Sequence, residues 1–181
     1  MSEVTPSHHT GLVIAVPEAD ARFGALRGRF DPQASLGVPA HITILFPFMP
    51  PELVDDGVRR RLTLLFRRFS PFRCVLTRVA RFPATAWLAP AFAEPFVTLT
   101  TAVAREFPDY PPYGGAHASV VPHLTIADGD AQAADMVEQD LRLDLARNGP
   151  VATHCGSVIL LENSSGAWKK MHEFALVGHQ G

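Results

Sequence analysis

The motif His-x-Thr stands in two apolar, β-branched runs, Pro39-Ala40-His41-Ile42-Thr43-Ile44 and Val121-Pro122-His123-Leu124-Thr125-Ile126. Such runs favour strands, and successive side chains on a strand point to opposite faces. His41 and Thr43 therefore share one face and Ile42 and Ile44 the other, while His123 and Thr125 oppose Leu124 and Ile126 in the same way. Each strand must bury its aliphatic side and offer an imidazole and a hydroxyl on the opposite one. A chain with two such strands needs two apolar layers and an open face that both strands reach.

The elements around the motifs recur in the same order. Residues 12–16 read as a buried strand, and Pro17 then opens a helix carrying Phe23, Leu26 and Phe30 on one side until Asp31 and Pro32 end it. Pro47, Pro50 and Pro51 stop the first motif strand, and over residues 52–69 Leu62, Leu65, Phe66 and Phe69 recur at helical intervals. Strands are expected at 72–80 and from 85. The order then starts again: a helix from Pro95 with Phe96, Leu99, Val103 and Phe107, a strand over 121–127, a helix over 131–147, and strands at 151–161 and 168–177. His123 follows His41 by 82 residues, and shifting 72–80 by that distance lands on 154–162. The spacing predicts a duplicated α+β chain, one bilobal domain over 1–181 with repeats at about 17–90 and 94–178. Two antiparallel-rich sheets flanked by helices, related by a pseudo-two-fold axis, would enclose a central groove.

Composition narrows the partners. With 47% hydrophobic and 19% charged residues the chain has the make-up of a packed globular domain. A net charge of −2 supplies no basic field for long duplex nucleic acid, so a bound nucleic acid is expected to be a nucleotide or short RNA. Cys74 and Cys155 read as small buried residues rather than a disulfide framework or zinc site. His8, His9, His117, His154, His172 and His179 lack ligand spacing, and no metal is expected. Residues 1–10 lack the cationic start and apolar run of a signal peptide, and no stretch reaches the roughly 18 apolar residues of a membrane span. A cytoplasmic monomer with no membrane partner is the expectation.

The residue types at the shared face suit phosphodiester cleavage. A neutral imidazole can take a proton from a nucleophile while a protonated one gives a proton to the leaving oxygen, and histidine titrates in the right range for both tasks. Threonine hydroxyls can donate to the non-bridging phosphate oxygens where charge is held. No metal or cofactor is required by this scheme. The paired motifs resemble those of the two-histidine phosphoesterase superfamily, also called the 2′-5′ RNA ligase and cyclic phosphodiesterase family, over nearly the whole chain. The resemblance implies a bilobal α+β fold and metal-independent hydrolysis of 2′,3′-cyclic phosphates or related cyclic or 2′-5′ linked nucleotides or RNA ends. It carries His41 and His123 over as the catalytic pair and Thr43 and Thr125 as phosphate ligands. A non-catalytic module that binds a nucleotide or RNA end in the same groove is the alternative reading.

Specificity has weaker signals. Phe48, Tyr113 and Trp87 are candidates for stacking on a nucleobase, and the loop over residues 109–115 is rich in proline and glycine, fit to border a groove. The arginines over 59–68 read first as a solvated helix face. Lys169 and Lys170 adjoin the last strand and are secondary candidates for phosphate contact.

Overall fold

The computed structural model describes residues 8–116 and 119–178. Along these, eight strands and five helices follow in the order β1 (Thr10–Ala15), α1 (Pro17–Phe30), α2 (Pro32–Ser35), β2 (His41–Leu45), α3 (Asp56–Phe66), β3 (Phe72–Phe82), β4 (Thr85–Pro90), α4 (Glu94–Glu106), β5 (Leu124–Asp128), α5 (Ala131–Asn148), β6 (Val151–Cys155), β7 (Ser157–Glu162) and β8 (Lys169–Ala175). Helix starts follow local chemistry. Pro17 occupies the first turn of α1, where its missing N–H costs nothing. The Asp55 and Asp130 carboxylates accept from the N–H groups of Val58 and Ala133 and cap α3 and α5. The helix expected over 52–69 is accordingly shorter, because residues 51–53 form a separate 3-10 turn before the Asp55 cap.

The strands form two four-stranded sheets, ordered β2-β1-β7-β8 and β5-β4-β3-β6, and every pairing is antiparallel. The architecture is the expected α+β one, two antiparallel sheets flanked by helices. Each half of the chain contributes to the other's sheet: β7 and β8 join β1 and β2, and β3 joins β4, β5 and β6. The helices cross over as well. α1 follows β1 yet packs on β5, and α4 follows β4 yet packs on β2. By sheet position β4 takes the place of β1 and β3 the place of β7. We propose a repeat of β1-α1-β2-α3-β3 against β4-α4-β5-α5-β7, which begins one strand earlier than the motif spacing suggests.

The strand expected over 151–161 is two strands in different sheets. Val151, Thr153 and Cys155 are buried on one parity and Val158 and Leu160 on the other, so a single straight strand would have to expose one of the two sets. The chain breaks at Gly156, leaving β6 beside β3 and starting β7 beside β1. No helix among the described residues is long and apolar enough to cross a membrane.

One core runs through both sheets and the inner faces of the helices; Ile42, Ile44, Leu124 and Ile126 all lie in it. Two polar ties fix the motif strands to their supports. Thr100 of α4, buried, donates from its hydroxyl to the Ile44 carbonyl at 2.6 Å. Arg27 of α1 pairs with Asp31 at 2.8 Å, both side chains only 3% exposed, and with Asp20 at 2.9 Å. It also donates to the Val38 carbonyl at 3.2 Å, and the second Asp20 oxygen accepts from the Ala40 N–H at 2.8 Å. This network holds α1 against the segment that leads into His41. Arg27→Ala leaves the Asp31 carboxylate buried without its partner and is expected to lower unfolding free energy by about 3–5 kcal/mol, measured by urea denaturation; a loss within experimental error would show that the network carries little.

Candidate active site

Alternation along β2 and the start of β5 follows the sequence pattern. His41 and Thr43 are half-buried while Ile42 and Ile44 are fully buried, and His123 and Thr125 are half-buried while Leu124 and Ile126 are fully buried. β2 and β5 are edge strands of their sheets and contact one another. β5 begins at Leu124, so His123 stands one residue before the paired region, next to Pro122, which has no N–H to give to a ladder.

The two imidazoles are held alike. His41 donates from Nδ1 to the Pro39 carbonyl at 2.8 Å, and His123 donates from Nδ1 to the Val121 carbonyl at 2.7 Å. A carbonyl can only accept, so Nδ1 carries the proton in each ring and Nε2 is left with a lone pair to take a proton or a proton to give. Both pKa values lie below the ordinary 6.5. Burial is the main cause in each case, since it penalises the cation, and the backbone hydrogen bond opposes it. The remaining charges differ: Arg27 lowers the His41 value, partly offset by Asp31, whereas Asp128 raises that of His123.

Both histidines line one cavity of about 450 Å³, together with Thr43. The cavity is lopsided. Beyond His123 and Tyr113, its wall comes from β1, β2, the end of β7 and the segments around α2 and Trp168. Thr125 shares the side of His123 but is not part of this wall. Tyr113 is, and its backbone N–H donates to the Phe46 carbonyl at 2.8 Å, fastening the 109–115 loop to the exit of β2. Tyr113 adopts φ 53°, a conformation uncommon for a side chain of its size.

The other aromatic candidates lie elsewhere. Phe48 is 2% exposed and packs edge-on against Phe107 at 5.3 Å and Tyr110 at 5.4 Å, with no open face for a ligand. Trp87, 7% exposed, also has no free face; with Phe82 it forms a corner around the His123 ring, at 5.5 and 5.3 Å between centroids. Its indole N–H has no hydrogen-bond partner among the described residues. Lys170 pairs with Glu173 at 3.0 Å, and neither it nor Lys169 is in the cavity wall. Arg59 and Arg61 are engaged by Asp56 and Glu106. His117 and His179 lie outside the described residues.

Sequence reasoning missed Phe46, Trp168, Gly11, Gln33 and Asn163, all of which line the cavity. Phe46 and Trp168 carry no signal distinguishing them from core aromatics. Trp168, expected to open the last strand, stands before it because its N–H donates to the Leu36 carbonyl at 2.7 Å.

Two antiparallel sheets that meet at their motif strands, with one imidazole from each over a common cavity, define a two-histidine phosphoesterase fold. Residues 15–167 match the family model of the 2′-5′ RNA ligase superfamily, and the chain belongs to that superfamily. Solved structures of the same fold include TT0787 of Thermus thermophilus, at 18% identity and TM-score 0.59 over 95% of this chain and 100% of that one. E. coli LigT complexed with 3′-AMP is similar at 16% identity and TM-score 0.60 over 93% and 98% of the two chains. E. coli LigT complexed with NADP+ is similar at 16% identity and TM-score 0.57 over 95% and 99%. At these identities the likeness is one of fold. The comparison with curated proteins finds no match.

Nitrogen-detected NMR of the unliganded protein is expected to show both imidazoles in the Nδ1–H form when neutral, titrating below 6.5. Because the unfolded chain then binds more protons than the folded one, stability present above 6.5 is lost as pH falls through the lowered values. Phe48→Ala is expected to cost about 3–5 kcal/mol of stability and to leave KM of the purified folded protein within about two-fold; a selective rise in KM at unchanged stability would return Phe48 to the site.

Proposed function

We propose that this chain is a metal-independent phosphodiesterase that opens 2′,3′-cyclic phosphates, or hydrolyses related cyclic or 2′-5′ linked nucleotides or RNA ends, with His41 and His123 as its catalytic pair. The observation that carries this reading is the matched pair of imidazoles, each fixed through Nδ1 to a carbonyl two residues earlier and each lining the same cavity. Membership of a superfamily of phosphoesterases supports it, and E. coli LigT, of the same fold, binds nucleotides in its 3′-AMP and NADP+ complexes.

In the reaction a neutral imidazole removes a proton from water as the water oxygen bonds to phosphorus. The P–O bond to one ribose oxygen breaks, and the imidazolium of the other histidine protonates that oxygen, leaving a ribose hydroxyl and a phosphomonoester. Thr43, which lines the cavity, would donate to a non-bridging oxygen, and Thr125 is the corresponding residue beside His123. The charges around the rings are unequal. Arg27, opposed by Asp31, disfavours a cation at His41 and Asp128 favours one at His123, which supports His41 as the base and His123 as the acid in ring opening.

Incubation with a panel of nucleoside 2′,3′-cyclic phosphates, followed by chromatography, is expected to yield monophosphates at a rate unaffected by EDTA. His41→Ala and His123→Ala should each lower kcat/KM by about 10²–10⁴-fold, and the double variant by little more than the worse single one. The pH profile of kcat/KM should be a bell whose maximum lies below 6.5, since both limbs belong to imidazoles titrating beneath that value. A nitrophenyl phosphodiester, whose leaving group needs no acid, should restore His123→Ala far more than His41→Ala. Tight binding of the whole panel with no product would replace this reading by that of a nucleotide-binding module.

A further inference from the structure

Away from the histidines, the two cysteines of the chain meet. β3 and β6 pair in the register Phe72 to Cys155 and Cys74 to Thr153, which makes Cys74 and Cys155 diagonal neighbours on adjacent strands. Burial puts them on the same face. On β3 Cys74 and Leu76 are buried while Arg73 is exposed, and on β6 Val151, Thr153 and Cys155 are buried while His154 is exposed. Both cysteines therefore point into the core, as small buried residues are expected to, at 4% and 1% exposure. Diagonal neighbours on one face of a sheet come near each other, and here the thiols touch: the Cys155 S–H donates a hydrogen bond to the Cys74 sulfur.

The contact makes the two thiols unlike. The hydrogen bond from Cys155 draws the Cys74 thiol below its usual value, against the opposing effect of burial. The Cys155 thiol is pushed up, by that same hydrogen bond first and then by burial and by the charges of Cys74 and Glu18. Cys74 is thus the sulfur that ionises and Cys155 the one that keeps its proton. The thiolate is the nucleophile of sulfur chemistry, and a second thiol against it turns an oxidised sulfur into a disulfide. Burial protects most core cysteines, but β6 is a five-residue strand at the edge of its sheet and ends at Gly156, where the chain leaves for the other sheet. Local opening of such an edge admits a small, neutral oxidant.

We propose that Cys74 and Cys155 form an oxidation site, at which a hydroperoxide converts the two thiols into an intramolecular disulfide joining β3 to β6. With hydrogen peroxide, the Cys74 sulfur attacks one oxygen, the O–O bond breaks, and the other oxygen leaves as water, so that Cys74 becomes a sulfenic acid. The Cys155 sulfur then attacks the Cys74 sulfur, the S–O bond breaks, and a second water departs with the Cys155 proton. The pair of thiols loses two electrons and one peroxide is reduced to two waters. Cys155 follows Cys74 by 81 residues, and the loop so closed contains the whole second motif with His123. Neither cysteine lines the cavity, so the cross-link acts on the stability of the fold around the second motif and is independent of the reaction proposed for the histidines. In a reducing compartment such a bond is transient and registers the oxidant.

The test treats the folded, reduced protein with hydrogen peroxide, quenches with an alkylating agent in denaturant, and measures intact mass and tryptic peptides. The expected product carries no alkylated cysteine, has lost about 2 Da, and yields residues 74–78 linked to residues 148–169. Its Tm should rise by about 10 °C and return to the starting value with dithiothreitol. Cys155→Ala should stop at a sulfenic acid on Cys74, trapped by dimedone, while Cys74→Ala should form no cross-link and react about ten-fold more slowly. Two alkylated thiols surviving in folded wild type, at a peroxide dose that oxidises the same protein in urea, would overturn the site. So would a disulfide found only between molecules. Both outcomes are read on the wild type and hold whether or not the variants fold.

Discussion

The arrangement depends on β2 and β5 being the inner edges of two different sheets, each backed by a helix that belongs to the other half of the chain. α1 leaves β1 in one sheet and packs on β5 in the other, while α4 leaves β4 and packs on β2. β3 and β7 cross over in the same sense. Neither sheet can form its core with residues of one half alone, so the lobes cannot drift independently as two beads on a linker would. The relative position of His41 and His123 is thereby set by the packing of the whole chain rather than by a local turn. Thr100 sits where α4 grips the motif strand of the other half, and Arg27 ties α1 to the segment that leads into the motif strand of its own half.

Much of this was legible because it rests on period and punctuation. The alternation His41-Ile42-Thr43-Ile44 states which face is apolar, Pro17 and Pro95 mark first turns, and the second copy of the motif makes the first one meaningful. The sheet orders were not legible, because strand pairing across a chain is settled by burial between distant segments. Residues 151–161 show the point. Their apolar content reads as one strand, and only the change of buried parity at Gly156 reveals two. That shift can be read in Val151, Thr153 and Cys155 against Val158 and Leu160, once a sheet is available for each set.

Side chains of the cavity wall were harder to see. Phe46 and Phe48 lie two residues apart after the same strand, yet Phe46 borders the cavity and Phe48 fills the core. Nothing in the two residues themselves separates them; the difference comes from Gly11, which leaves a place for one ring, and from Phe107 and Tyr110, which enclose the other. Trp87 illustrates the same limit from another side. Its ring supports the His123 imidazole, a role that follows from β4 pairing with β5.

The fold gives two nearly equivalent imidazoles, and acid–base chemistry needs two unlike ones. Burial alone cannot separate them, since it lowers both pKa values and favours the neutral form at each. What differs is what each half of the chain places behind its motif. α1 brings the Arg27 network beneath the approach to His41, whereas β5 continues from His123 to Asp128 with no comparable buried arginine among the causes acting on that ring. Two strands of matching sequence thus stand before different charged backings, Arg27 with Asp31 near one imidazole and Asp128 near the other.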